Sequence, residues 1–161
     1  MLLLARTVTG MASYPTIAEV EAAGYESIGD GGRVGYEHFV NWSYLSDGQE
    51  FDPTGIESIV AKNNGDGTKT VVSALYILET GKTMADVPDI AGELTSAGFH
   101  DHQNLCFTGN RLVGTLNNGQ CPPGSVLRPT PPMIHVWLIP HPCGPFGTVE
   151  GHGDPACGSH H

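Results

Sequence analysis

Two histidines stand two residues apart in His100-Asp-His102, and a third, His135, follows roughly 33 residues later. On a β-strand, residues i and i+2 face the same side. His100 and His102 are therefore expected to project side by side, with Asp101 on the reverse. His135 lies inside Met133-Ile-His-Val-Trp-Leu-Ile139, an otherwise apolar stretch. A histidine in that setting takes either a hydrogen-bond partner or a metal ion. Imidazole nitrogen suits zinc, copper, iron and nickel, and three protein ligands leave a coordination position for water or substrate. Gly35-Tyr-Glu-His-Phe39 offers a fourth ligand. Adjacent strand residues face opposite sides. His38 shares its side with Tyr36, Val40 and Trp42, the more apolar one, so His38 is the ligand expected and Glu37 is left near the rim. Glu37 is then the first candidate for general acid or base, and Glu93 the second. The plainer alternative makes His135 a hydrogen-bonded core histidine, and Glu37 and His38 ordinary strand residues.

The metal would decide the chemistry. Copper, iron or manganese would activate oxygen or oxidise a small organic molecule. Zinc would lower the pKa of a bound water towards about 7 and support hydrolysis or isomerisation. A site with no open position would only store metal or stiffen the fold. A thiolate from Cys106 beside His102 would instead point to a copper electron-transfer site. Asn64-Gly-Asp-Gly-Thr-Lys69 has the look of a calcium loop but no acidic residue at its twelfth position, so a hairpin turn is expected there. No Gly-x-Ser-x-Gly elbow or phosphate-binding loop occurs, so serine hydrolysis and nucleotide chemistry have no support. Asn41-Trp-Ser43 is a glycosylation sequon placed in an expected strand, and His141 and His152 fall in a Pro/Gly-rich tail.

The elements that must hold these residues are strands. The chain has 161 residues, 39% of them apolar and only 15% charged, against roughly 25% charged in an average domain. Its 22 Gly and 12 Pro are scattered. That profile disfavours a helical bundle and disorder, and suits one loop-rich β domain over 1–157. Gly158-Ser-His-His161 reads as the start of a tag. Strands are expected at 34–45, 56–62, 68–78, 99–108, 111–116 and 133–139, with turns at Ser46–Gly48, Asn63–Gly67 and Asn117–Gly119. One helix is expected over 16–24, with Thr16 as N-cap, Glu19 completing a capping box and Gly24 as stop. A single helical turn fits 83–88, ended by Pro88. Met1–Arg6 reads as a first strand or the remnant of a leader. The pattern predicts a mainly β fold, a sandwich or barrel, with a disulfide-tied C-terminal tail.

The formal charge is −10, and the seven Lys and Arg are dispersed, which argues against nucleic-acid and anionic-membrane partners. No apolar run reaches the roughly 20 residues of a membrane helix. The four cysteines, Cys106, Cys121, Cys143 and Cys157, form no Cys-x-x-Cys pair. Two disulfides are expected, with the sequential pairing Cys106–Cys121 and Cys143–Cys157 favoured among three, and with them a secreted or periplasmic location. The alternative is four reduced thiols in a cytosolic protein.

A His-x-His pair followed by a distant third histidine beyond a Pro/Gly-rich loop resembles the metal site of the cupin superfamily. The first motif would be His100-Asp-His102-Gln-Asn-Leu-Cys106-Phe107, ending near Gly109 or Gly114, and the second would run from Pro122-Pro-Gly124 to His135. The resemblance implies a double-stranded β-helix jelly roll. It also implies a mononuclear metalloprotein with one divalent transition metal ion, copper or zinc before iron or manganese. The family's usual Glu would fall at Cys106 or Phe107, neither a carboxylate, and the gap from Gly124 to His135 is longer than in the family. The expected function is thus a secreted metal-dependent enzyme, oxidoreductase before hydrolase, acting on a small organic or extracellular substrate. Cupin-like domains also pair through sheet edges, which allows a homodimer. The alternatives are a non-catalytic metal-binding or storage protein and a disulfide-stapled binding module with structural histidines. The segments Gly-Tyr-Glu-His-Phe-Val-Asn-Trp, Met-Ile-His-Val-Trp and Pro-Cys-Gly-Pro-Phe also resemble secreted bacterial proteins of unknown activity.

Overall fold

The computed structural model describes residues 2–88 and 98–149. Helices α1 (Leu2–Met11), α2 (Ile17–Ala22) and α3 (Gly31–Val34) alternate with and precede eight strands. The strands are β1 (Glu26–Ser27), β2 (Tyr36–Val40), β3 (Ser58–Asn63), β4 (Lys69–Ile77), β5 (Leu105–Thr108), β6 (Arg111–Thr115), β7 (Val126–Leu127) and β8 (Met133–Trp137). They form two antiparallel sheets, ordered β1-β2-β3-β4-β8 and β6-β5-β7, so the fold is mainly β. Among the described residues no helix is long and apolar enough to cross a membrane.

The larger sheet is buried on both faces, and its register sorts the side chains between them. His38 pairs with Val60, Val60 with Ser73, Ser73 with Trp137, and Leu75 with His135. These residues share one face with Tyr36, Val40, Ser58, Ile77 and Met133 by the two-residue alternation of strands. A register shift at Val60/Ala61 leaves Val72 as the extra residue of a bulge. The reverse face carries Phe39, Ile59, Ala61, Ala74, Tyr76, Ile134 and Val136. It forms the main core with Leu3, Met11, Val20 and Tyr25 from the helical side.

Helix α1 is held there by a stripe of Leu3, Thr7 and Met11, spaced one helical turn apart. Thr7 Oγ1 donates to the Leu3 carbonyl at 2.7 Å and lies 2.8 Å from the Tyr76 hydroxyl. Gly10 lets α1 approach the 52–55 loop, since a Cβ there would overlap the Pro53 carbonyl oxygen. The segment from Leu2 is a helix, not the first strand that was one of the two expectations for Met1–Arg6. Leu and Ala are strong helix formers, and the buried stripe selects the helical period. Helix α2 has the expected capping box: the Thr16 backbone N–H donates to the Glu19 carboxylate at 3.0 Å, and the Thr16 hydroxyl also meets it.

The hairpin at Asn63–Gly67, the long strand β4 and the helical turn at Met84–Asp86 fall where the sequence places them. Two expected strands are shortened. The 34–45 strand ends at Val40, because Asn41 takes over the backbone: its Oδ1 accepts from Ser43 N–H at 3.1 Å and its carbonyl from Tyr44 N–H at 3.1 Å. The 99–108 strand reduces to Leu105–Thr108. Upstream, His100 makes only a two-bond bridge to Met133 (3.0 and 2.8 Å), and His102 pairs with Thr130 instead of a strand. The Cys106–Cys121 disulfide is formed as expected, closing a separation of 15 residues. Cys143 is disulfide-bonded too. Its expected partner Cys157 lies outside the described residues, as do Glu93, His152 and the 158–161 tail.

Candidate functional site

The first face of the large sheet and the small sheet enclose a cleft of about 640 Å³. Its walls are mostly apolar, with Ile28, Val40, Leu75, Ile77, Phe107 and Met133 among them. His38 and His102 line it, together with Asp30 and Asp101. Behind this wall the histidines continue. The His38 and His135 ring centroids are 5.7 Å apart, His135 and His100 5.5 Å, and His100 and His102 5.3 Å. Strand β2, strand β8 and the 98–102 stretch thus deliver the four expected histidines to one cluster. His100 and His102 meet although no strand carries them; the bridge to Met133 and the pairing with Thr130 do that work. Among the described residues, no three His, Cys, Asp or Glu side chains are disposed to hold one metal ion as they stand.

The rings are oriented by different partners. His38 Nδ1 lies 2.6 Å from Asp30 Oδ2, and the His38 backbone N–H donates to Asp30 Oδ1 at 2.9 Å. Asp30 is buried. The contact engages Nδ1 and leaves Nε2 as the nitrogen not held by Asp30. His100 Nδ1 lies 3.1 Å from the Gly98 carbonyl, which fixes the proton on Nδ1. His135, 1% exposed, has Ser73 Oγ 3.5 Å from its Nδ1. Burial holds its pKa well below the usual histidine range, and the neighbouring His100, His38, His102 and His141 push the same way. His135 is therefore neutral. His141 lies tilted against Trp137, ring centroids 4.6 Å apart, and both its ring nitrogens serve the chain, one with the Thr148 carbonyl and one with Cys143 N–H.

Glu37 does not join the cluster. It projects from the reverse face of β2, where its carboxylate is 2.7 Å from Lys69 Nζ. An ion-paired carboxylate on the far side of the sheet is not placed to move protons at the histidines. The carboxylate that bonds a cluster histidine is Asp30, which no sequence motif marks. Asp30 is eight residues from His38, and only the turn through α3 brings them together. Asn64 and Asp66 bond Thr68 and Thr70 within the hairpin, as the turn reading requires. No motif marks Arg128 either. It follows β7 and borders the cleft, its guanidinium 5.5 Å from the ring centroids of both Trp42 and Phe107. Comparison with protein-family models, with curated proteins and with solved structures finds no match to this chain.

Proposed function

We propose that the protein binds a small, mostly apolar molecule in the cleft between its sheets and recruits one divalent transition metal ion, copper or zinc first, at the histidines of its inner wall. The observation that carries this reading is the meeting of His38, His100, His102 and His135 at one end of a cleft that His38 and His102 line. Two imidazoles bound through Nε2 to one tetrahedral ion have centroids roughly 5 Å apart, close to the spacings here. The Nδ1 tethers on His38 and His100 are of the kind that orient metal-binding histidines. Small ring rotations are still needed to bring three donors onto one point.

The ion would supply oxidation chemistry as copper, or an activated water as zinc. The chain's own contribution is legible. Asp30 holds His38 through Nδ1 and leaves Nε2 for a ligand, the cleft-facing strand holds His38 in place, and the apolar walls exclude water and strengthen polar contacts inside. A disulfide-stapled chain of this kind suits a secreted or periplasmic site of action. A second reading, a metal-free binding module with structural histidines, is favoured by the neutral, buried His135 and by the lack of a convergent donor set among the described residues.

Metal content after loading with Zn²⁺ or Cu²⁺ and extensive dialysis, read by mass spectrometry, separates the two. The parent is compared with a His100→Gln/His102→Gln variant, both checked by thermal melts. We expect close to one ion per chain in the parent and a loss of that ion in the variant. Equal uptake by both, or none by the parent, would overturn the metal reading.

A further inference from the structure

We propose that the cleft's ligand is a small organic anion, an apolar body bearing one carboxylate- or sulfonate-type group, with its charged end at Arg128. The inference rests on the cleft being the ligand site and is independent of the metal. In a chain of formal charge −10, cations are scarce. Two border the cleft, Lys82 and Arg128. Lys82 is committed to Glu50 at 2.7 Å. Among the described residues Arg128 has no carboxylate partner, and its one side-chain hydrogen bond runs to the Gly109 carbonyl at 3.1 Å. A guanidinium carries five N–H donors, so most of its capacity is unused. Its backbone is fixed by an N–H bond to the Leu105 carbonyl at 2.9 Å, and its plane by Trp42 and Phe107.

The other charged groups of the cleft already have partners. Asp30 serves His38 through both oxygens, and Asp101 accepts from Gln103 Nε2 at 2.9 Å. Arg128 is thus the charged side chain of the lining that has no side-chain hydrogen-bond or ion-pair partner among the described residues. Trp42, whose ring the guanidinium overlies, forms the apolar wall next to it. An anionic oxygen pair satisfies an arginine fork, which a neutral or cationic ligand does not. The apolar walls then take the body of the molecule.

The test is a fluorescence titration of the metal-free full chain, at physiological ionic strength, with two dyes of one aromatic frame. They are 8-anilinonaphthalene-1-sulfonate, an anion, and N-phenyl-1-naphthylamine, which is uncharged. We expect the sulfonate to bind about tenfold more tightly. In Arg128→Gln that preference should vanish with the amine's affinity unchanged, and Arg128→Lys should keep part of it. Arg128 is exposed at the rim, and thermal melts of its variants check that they fold. Equal affinity for the two dyes, or a preference that survives in Arg128→Gln, overturns the anion assignment and leaves the cleft reading standing. Failure of both dyes to bind saturably overturns both.

Discussion

Glu57 is 1% exposed, with Oε2 accepting from the Ile77 N–H at 3.2 Å and Oε1 without a partner. Burial pushes its carboxyl up to about 8, and the nearby Asp47 and Glu50 add to the push. The unfolded chain releases this proton near 4.5, the folded chain only near 8. Between those values the folded state binds more protons, so the contribution of Glu57 to stability falls as pH rises, and levels off above 8. The slope is at most about 1.4 kcal/mol per pH unit. Glu57→Gln should therefore flatten this part of the stability profile, gaining on the parent at pH 9 relative to pH 5. Denaturant titrations of both proteins across that range check it; parallel profiles would mean that Glu57 is ionised in the fold. Nothing in Gly55-Ile-Glu-Ser58 announces such a residue, since burial of one carboxyl depends on what packs over it. The histidines were legible because an imidazole in an apolar strand is conspicuous. Asp30 was not, because its partner is supplied by a turn.

The elements divide in the same way. Strands β3, β4 and β8 follow from β-branched runs bounded by turn residues, and α2 from its capping box. Helix α1 is not legible as a helix because its three leucines fit a strand as well; the stripe whose Thr7 meets Tyr76 decides. The 99–104 stretch was misread because its alternation persists while its ladder partner is replaced by Thr130. Two consequences belong at this scale. Gly10→Ala should cost about 2 kcal/mol by driving α1 off Pro53, despite alanine's better helix propensity. A melt that rises instead would place α1 elsewhere. The Cys106–Cys121 bridge ties β5 to the segment before β7, closing a separation of 15 residues, and its loss should cost about 3 kcal/mol. A Cys106→Ser/Cys121→Ser pair should also weaken dye binding, since β5 and β7 carry Phe107 and Leu127 of the cleft wall. Unchanged binding at reduced stability would detach the bridge from the site.

Across the whole molecule, one sheet serves two masters. Its reverse face, under α1 and α2, holds the largest core, while its first face carries the histidines and the cleft. Neighbouring residues on β4 belong to different compartments. Tyr76→Phe, which removes the bond to Thr7, should cost about 1 kcal/mol and leave ligand affinity alone. Ile77→Ala, on the cleft wall, should weaken ligand binding more than it weakens the fold. Crossed results in melts and titrations would show the two faces to be coupled.

That alternation has a consequence for descent. Where every second residue answers to a ligand and the others to folding, a lineage can exchange the first set while inheriting the second intact. Related chains should then diverge in a two-beat rhythm along β4 and β8, with specificity drifting on one beat and the scaffold conserved on the other.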